Sequence, residues 1–87
     1  MLQPKLTDVK PLDNFRLLVF YENNEKKVFD VKPYINGDWF SQLQNPDYFR
    51  TVRVSGYTVE WAGGQDIAPH ELYDYGVEIG LMNDAII

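Results

Sequence analysis

The stretch Val59-Glu-Trp-Ala-Gly-Gly-Gln-Asp-Ile-Ala-Pro-His-Glu-Leu-Tyr73 contains the most specific folding instructions in this chain. Apolar and polar residues alternate up to Trp61, which predicts a strand with one buried face. Gly63-Gly64 then ends the strand, and Pro69 begins a short helix that runs through Tyr73. These residues specify how the backbone bends, and they do not by themselves indicate a chemical reaction.

Upstream of this stretch, the sequence predicts an antiparallel hairpin. We expect a first strand at residues 5–12. Residues 15–22 carry apolar side chains on both faces, which is typical of a central strand covered on two sides. A polar turn at residues 23–25 then leads into a returning strand at residues 27–31.

The next segment predicts short helical turns. Residues 34–38 form one turn that Gly37 closes. Three apolar residues follow at helical spacing, namely Trp39, Phe40 and Leu43. Asn45 is a good N-cap for a further one-turn helix that begins at Pro46.

A second hairpin is predicted from strands at residues 50–54 and 57–61, joined by a turn at Ser55-Gly56. After Gly76, alternating apolar residues predict a C-terminal strand: Val77, Ile79 and Leu81. Two antiparallel hairpins and a C-terminal strand, with one- to two-turn helices between and after them, make an α+β fold.

Length and composition fit one small folded domain. The chain has 87 residues, of which 45% are hydrophobic and 15% are aromatic, too many for a disordered chain. We expect residues 1–75 to form a single α+β domain. Residues 76–87 are expected to form an apolar C-terminal extension, packed on the domain or at an interface.

Several classes of protein are disfavoured by the composition. Cysteine is absent, so the chain has no disulfide or thiolate site, which favours a reducing, cytoplasmic setting. The N-terminus lacks a signal-peptide pattern, and no apolar run approaches the roughly 20 residues of a membrane span. We therefore expect a soluble cytoplasmic protein.

The net charge is -5, from 13 acidic and 8 basic side chains. This charge opposes non-specific binding of nucleic acid, which depends on neutralising phosphates. The small basic pairs Lys26-Lys27 and Arg50/Arg53 are interpreted as solvated strand edges. Steering towards a basic partner is the role that the charge favours.

The order of these motifs resembles that of a known family. The matching segments are Leu18-Val-Phe-Tyr-Glu22, Lys27-Val-Phe-Asp30, Gly37-Asp-Trp-Phe40 with Leu43, Asn45-Pro-Asp-Tyr-Phe49 with Val52, Val59-Glu-Trp61, and Asp66-Ile-Ala-Pro69 with Leu72-Tyr73. Over about residues 5–75, the chain resembles the uncharacterised bacterial domain of unknown function 2442.

The resemblance implies a small α+β fold with no accepted catalytic residue. It also implies frequent gene pairing with another small protein, in a module that is interpreted as toxin–antitoxin-like. Longer relatives carry an appended helix-turn-helix. Here the segment after Tyr73 is too short and too rich in glycine for one, which weakens a role in DNA binding.

His70 is the single histidine of the chain. A hydrolytic triad would need it beside a serine and a carboxylate, and neither Ser41 nor Ser55 lies in a recognisable nucleophile turn. Asp66, His70 and Glu71 could contact a metal ion, but three potential ligands so close in sequence rarely converge. We therefore expect no catalytic residue, no metal site and no cofactor.

Asp66 admits two roles. As a turn residue it would hydrogen-bond backbone amides, and as a general base it would act together with Glu60. Alternation places Glu60 on the solvent face, which favours the turn role. Gly63-Gly64 lacks the fuller glycine pattern and the nearby cation of a phosphate site. We interpret the following residues as a structural motif: Trp61, Gly63, Gly64, Asp66, Pro69, Leu72 and Tyr73.

Apolar residues outside this motif are candidates for contacts with a partner, because exposed apolar patches are often interaction sites. The expected contact residues are Trp39, Phe40, Leu81, Ile86 and Ile87. Trp39 and Phe40 could instead pack in the core, and the C-terminal residues could pack on the chain's own sheet.

The leading hypothesis is a non-catalytic interaction domain that binds a small protein or a second copy of itself. The resemblance adds an antitoxin-like role in a paired module. One alternative is a dimeric DNA-associated regulator that contacts phosphates through Arg50 and Arg53. The other is a small-ligand binder around Asp66 and His70.

Overall fold

In the part of the chain that the structure describes, six strands form a four-stranded sheet and a separate hairpin. The computed structural model describes residues 3–79, with the exception of the Trp39 side chain. The strands are β1 (Leu6–Leu12), β2 (Arg16–Tyr21), β3 (Lys26–Asp30), β4 (Arg53–Ser55), β5 (Thr58–Glu60) and β6 (Val77–Glu78). The sheet is antiparallel with the order β1-β2-β3-β6, and β4 pairs with β5.

Short helices connect the strands and complete the α+β fold that the sequence predicts. They are α1 (Gly37–Phe40), α2 (Pro46–Phe49) and α3 (Pro69–Tyr75), with 3-10 turns at Lys32–Tyr34 and Ser41–Gln44. None of the helices in residues 3–79 is long and apolar enough to cross a membrane.

The start of α2 follows the predicted capping pattern. The Asn45 side chain accepts a hydrogen bond from the Asp47 amide at 2.9 Å, and Pro46 occupies the first turn, where its missing N–H costs nothing. At Gly37 the prediction is wrong, because this residue begins α1 instead of closing a preceding turn. Its φ of +74° is a left-handed value that glycine adopts without strain.

The sheet has an inner face and an outer face. Alternate residues of β2 point to opposite sides, and the inner residue Leu17 lies opposite Phe29 of β3. The core cluster joins this inner face to the helices and the hairpin. Its members are Leu6, Leu17, Val19, Tyr21, Phe29, Val31, Leu43, Phe49, Val59, Trp61, Ile67 and Leu72.

The outer face presents a row of side chains across all four strands: Lys10, Leu18, Val28 and Val77. Leu18 and Ile79 are buried, yet both lie outside the core cluster. Val77 at the end of the row is 67% exposed. The outer face is therefore apolar along Leu18, Val28 and Val77, and it opens to solvent at β6, an edge strand of the described sheet.

One strand boundary differs from the sequence-based expectation. β4 begins at Arg53, and not at residue 50, because the chain first makes a turn in which Thr51 bonds to the Tyr48 carbonyl through its amide and its hydroxyl. At the other end, β6 pairs with β3. This pairing agrees with the C-terminal strand that the sequence predicts from Val77 onward.

Candidate interaction surface

The turn that follows β5 is fixed to α2 by the indole of Trp61. This side chain is fully buried, and its Nε1 donates a hydrogen bond to the Phe49 carbonyl at 2.9 Å. The aromatic rings of Trp61 and Phe49 also pack together, with their centroids 5.8 Å apart. Because α2 and the hairpin share this contact, Trp61 sets their relative position.

A polar network closes the same turn around Gln65, which is fully buried. The Tyr48 hydroxyl donates to Gln65 Oε1 at 2.7 Å and accepts from the Gly63 amide at 2.6 Å. Gln65 Nε2 in turn donates to Gln42 Oε1 at 2.8 Å. A side chain at Gly63 would overlap the Tyr48 hydroxyl, so only glycine fits there without displacement.

Downstream of the network, the backbone of Asp66 pairs with Glu60 as an isolated antiparallel bridge. The Asp66 side chain is exposed, and Gln65 and Tyr48 supply the side-chain hydrogen bonds of the turn. Glu60 faces Arg53 at 3.6 Å across the β4–β5 hairpin. Arg53, one of the two arginines that a DNA-binding role would use, is therefore paired with a carboxylate of the same hairpin.

Helix α3 contacts the core through Leu72 and the 3-10 turn at Lys32–Tyr34 through Glu71. Leu72 is fully buried in the core. Glu71 accepts a hydrogen bond from the Tyr34 hydroxyl at 2.6 Å. Burial and this hydrogen bond raise the pKa of Tyr34 to about 12.

The end of α3 rests on β3 through Lys27, a buried lysine. Its ammonium group donates to the Tyr73 carbonyl at 2.5 Å and lies 3.6 Å from the centroid of the Tyr73 ring. A cation is favourable at the carbonyl end of a helix and over an aromatic face. A Cβ at Gly76 would press on Leu72 and Lys27 at about 3 Å, so glycine permits this close approach.

The Tyr73 hydroxyl donates to the Glu25 carboxylate, and Asn23 donates to the same group. These hydrogen bonds lower the pKa of Glu25, and the bond to Glu25 raises the pKa of Tyr73. Burial raises the pKa of Tyr21, whose ring meets that of Tyr73 edge-on at 5.1 Å. The Tyr21 hydroxyl is buried and has no hydrogen-bond partner within residues 3–79.

A groove of about 640 Å³ opens beside this cluster, between α3 and the turns at the ends of the strands. Its lining contains two carboxylates, two tyrosines, one histidine and two amide side chains. The lining residues are Gln3, Pro4, Glu22, Asn23, Tyr57, His70, Tyr73 and Asp74. Three of them lie on one face of α3, at the spacing i, i+3 and i+4.

One family model, described as Protein of unknown function (DUF2442), matches the sequence over residues 6–78. This chain belongs to the DUF2442 family. No curated protein and no solved structure matches it significantly. The family resemblance predicted from the sequence is thereby confirmed.

Several residues of the motif predicted to be structural are buried or shape the turn in this DUF2442 domain, whereas the Asp66 side chain is exposed. Trp61 and Leu72 are core residues, and Pro69 occupies the first turn of α3. Gly63 and Gly64 shape the turn, and Gly64 has a φ of +97°. Tyr73 differs, because it contacts Lys27 and also lines the groove.

The residues predicted to contact a partner are only partly within the described range. Phe40 is half-buried and packs against the core cluster. The Trp39 side chain, Leu81, Ile86 and Ile87 lie outside the residues that the structure describes. The predicted partner contacts therefore stay a prediction.

His70 and Asp66 are both exposed. The His70 Nε2 atom lies 4.0 Å from the Glu71 Oε2 atom. Within residues 3–79, no group of three or more histidine, aspartate and glutamate side chains is placed to hold a metal ion. His70 instead belongs to the groove.

The groove is the feature that sequence reasoning missed. Glu22 and Tyr57 come from different turns, and nothing in the local pattern predicts that they meet α3. The one available signal was the spacing of His70, Tyr73 and Asp74, which places them on a single helical face. Lys27 was likewise interpreted as an exposed strand edge, and this interpretation is wrong because the lysine is 8% exposed beneath α3.

Proposed function

We propose that this DUF2442 protein is a non-catalytic interaction domain that binds a small basic protein in the cytoplasm. We further propose that it is the neutralising, antitoxin-like member of a paired module. The observation that carries the proposal is an exposed apolar edge, where Tyr75 is 69% and Val77 is 67% exposed.

These two side chains lie at the junction of α3 and β6. Within the described sheet, β6 is an edge strand that pairs on one side only, with β3. An exposed strand edge with apolar neighbours favours association with another chain, because it offers unpaired backbone groups and apolar area together. The negative net charge favours a basic partner through electrostatic steering.

The proposal is tested by affinity purification of the tagged full-length chain from its native cells, followed by mass spectrometry. We expect recovery of one small basic protein. The double variant Tyr75→Ser/Val77→Thr should recover much less of it, whereas Lys32→Ser, at an exposed turn outside this edge, should recover an equal amount.

The antitoxin-like role needs a second experiment. The recovered partner should slow growth when it is expressed alone, and co-expression of this chain should restore growth. A chain deleted after Ile79 keeps β6 and removes only the apolar end, so it measures the contribution of Leu81, Ile86 and Ile87 to rescue. Recovery of no partner, or of a partner that does not slow growth, would contradict the paired-module proposal.

A further inference from the structure

An asparagine followed by a glycine stands at the start of α1, as Asn36-Gly37. Both residues are exposed. A Cβ placed on Gly37 would meet nothing within 4 Å, apart from the adjacent residues and the backbone of α1. The side-chain amide of Asn36 and the backbone nitrogen of Gly37 are therefore chain neighbours on an open part of the surface.

Asn36 occupies the N-cap position of α1, yet its side chain does not cap the helix. The side chain turns back instead, and its Nδ2 donates a hydrogen bond to the Pro33 carbonyl at 3.1 Å. The first amides of a helix have no acceptor within the helix. The backbone nitrogen of Gly37 is therefore not engaged by α1.

The other described asparagines have different surroundings. Asn23 is held at both of its side-chain polar atoms, which bond to the carboxylate and the amide of Glu25. Asn45 precedes Pro46, whose nitrogen carries no hydrogen. Unlike Asn36, all of them precede a residue that has a side chain, which restricts the backbone more than glycine does: Asn14, Asn23, Asn24 and Asn45.

We propose that Asn36 is a site of spontaneous deamidation, with water as the co-reactant. The Gly37 nitrogen attacks the Asn36 Cγ atom and forms a new C–N bond, which closes a five-membered succinimide. The bond from Cγ to Nδ2 breaks, and ammonia leaves with the hydrogen that the Gly37 nitrogen carried. Water then opens the ring, giving aspartate when it adds at Cγ and isoaspartate when it adds at the backbone carbonyl carbon. The inference goes beyond the proposed function and does not depend on it.

The conformation at the N-cap sets the rate of ring closure. The extended ψ of 164° at Asn36 does not place the Gly37 nitrogen in the plane of the ring, so the chain must rotate about the Asn36 Cα–C bond. The hydrogen bond to the Pro33 carbonyl must break as well. Once the two groups are aligned, attack within one chain is favoured by proximity. The fold therefore slows the reaction and does not prevent it.

The two products differ in their effect on α1. Both carry a new negative charge, and neither can donate a hydrogen bond to the Pro33 carbonyl as the amide does. Isoaspartate also adds one carbon atom to the main chain before α1, whose last residue, Phe40, packs against the core. We expect Asn36→Asp, which reproduces the aspartate product, to unfold at nearly the same urea concentration as the parent chain. The isoaspartate form should unfold at a lower concentration.

The test incubates the full-length chain at mildly alkaline pH and follows each asparagine by peptide mapping with mass spectrometry. We expect Asn36 to convert about tenfold faster than any other described asparagine. Conversion should be faster still in urea, where rotation at Asn36 is free. Asn36→Gln should abolish the acidic species in isoelectric focusing, because the longer side chain would have to close a larger ring. The control Asn23→Gln should leave that species unchanged.

Two results would overturn the proposal. One is conversion at Asn36 that is no faster than at the other described asparagines. The other is an acidic species that persists in Asn36→Gln. A folded chain that converts as fast as the chain in urea would overturn the restraint assigned to the N-cap conformation and to the Pro33 hydrogen bond.

Discussion

The turn after β5 and the groove beside α3 both combine tyrosines with polar side chains, but they leave these groups in opposite states. In the turn, the Tyr48 hydroxyl donates to Gln65 and accepts from the Gly63 amide. The groove is instead lined by exposed side chains, among them Tyr57, which is 38% exposed, and Asp74.

The difference separates a buried network that stabilises the fold from an exposed surface. A buried network in which members satisfy one another rigidifies the fold and leaves little for a ligand. Exposed side chains such as those of Tyr57 and Asp74 add little to folding. The most specific sequence motif of this chain thus describes architecture.

The largest expected effect is that of Trp61→Ala in the turn. It removes a fully buried ring and the hydrogen bond to the Phe49 carbonyl. We expect the free energy of unfolding in urea to fall by about 3–5 kcal/mol. Tyr57→Ala, in the groove, should change it by less than about 0.5 kcal/mol. Similar losses in both variants would remove the distinction between the two regions.

Gly63→Ala should lower the free energy of unfolding by about 1–3 kcal/mol, because the new methyl group displaces the Tyr48 hydroxyl. A double-mutant cycle with Tyr48→Phe sharpens this prediction. Once the hydroxyl is absent, the added methyl group should cost less, so the two changes should be non-additive. Additive losses would show that the network does not depend on this contact.

A smaller effect is expected at alkaline pH from Tyr34, which lies outside both regions. Its folded-state pKa is raised from 10.0 to about 12, so its stabilising effect is complete below about pH 10. That effect is lost as pH rises from there through the folded pKa. Tyr34→Phe should therefore flatten the decline in unfolding free energy between about pH 10 and 12.

The decline in unfolding free energy with rising pH is measured by urea unfolding at a series of pH values. Glu71→Gln removes the charged acceptor of the Tyr34 hydroxyl and should also flatten it. Glu60→Gln, a carboxylate paired with Arg53, should leave it unchanged. A slope that is the same in wild type and Tyr34→Phe would show that this hydroxyl is not coupled to folding.

The smallest effect on folding is expected for Asp74→Asn in the groove. Asp74 is exposed, so its loss should shift the free energy of unfolding by no more than about 0.5 kcal/mol. Thermal unfolding followed by circular dichroism is sufficient to check this. A loss above about 1 kcal/mol would show that Asp74 contributes to the fold.

Much of the fold was predictable because its signals are local. Asn45 and Pro46 specify the start of α2, and alternation specifies β2. Gly37 was placed wrongly because a glycine at a helix boundary fits either end of a helix. The structure distinguishes the two, because the preceding 3-10 turn ends at Tyr34 and α1 begins at Gly37.

The candidate site was much less predictable, because its parts come from distant segments. Alternation of residues on β3 does not reveal that α3 covers Lys27. A charged residue at a strand end is ordinarily exposed, and only the tertiary contact with Tyr73 overrides that preference. The same holds for Glu22 and Tyr57, which become neighbours of α3 only after the sheet and the hairpin have packed.

The pairing of β6 with β3 also bears on the order in which the molecule assembles. Strands β1, β2 and β3 are joined by short turns, and such local contacts form rapidly. Val28 and Val77, by contrast, meet only after α2, the β4–β5 hairpin and α3 have been enclosed in one long loop. Hydrogen exchange should therefore show β6 opening before the β1–β2–β3 meander. The apolar edge that we assign to partner binding is then the last part of the sheet to be completed, so a partner that adds to it would also stabilise the finished fold.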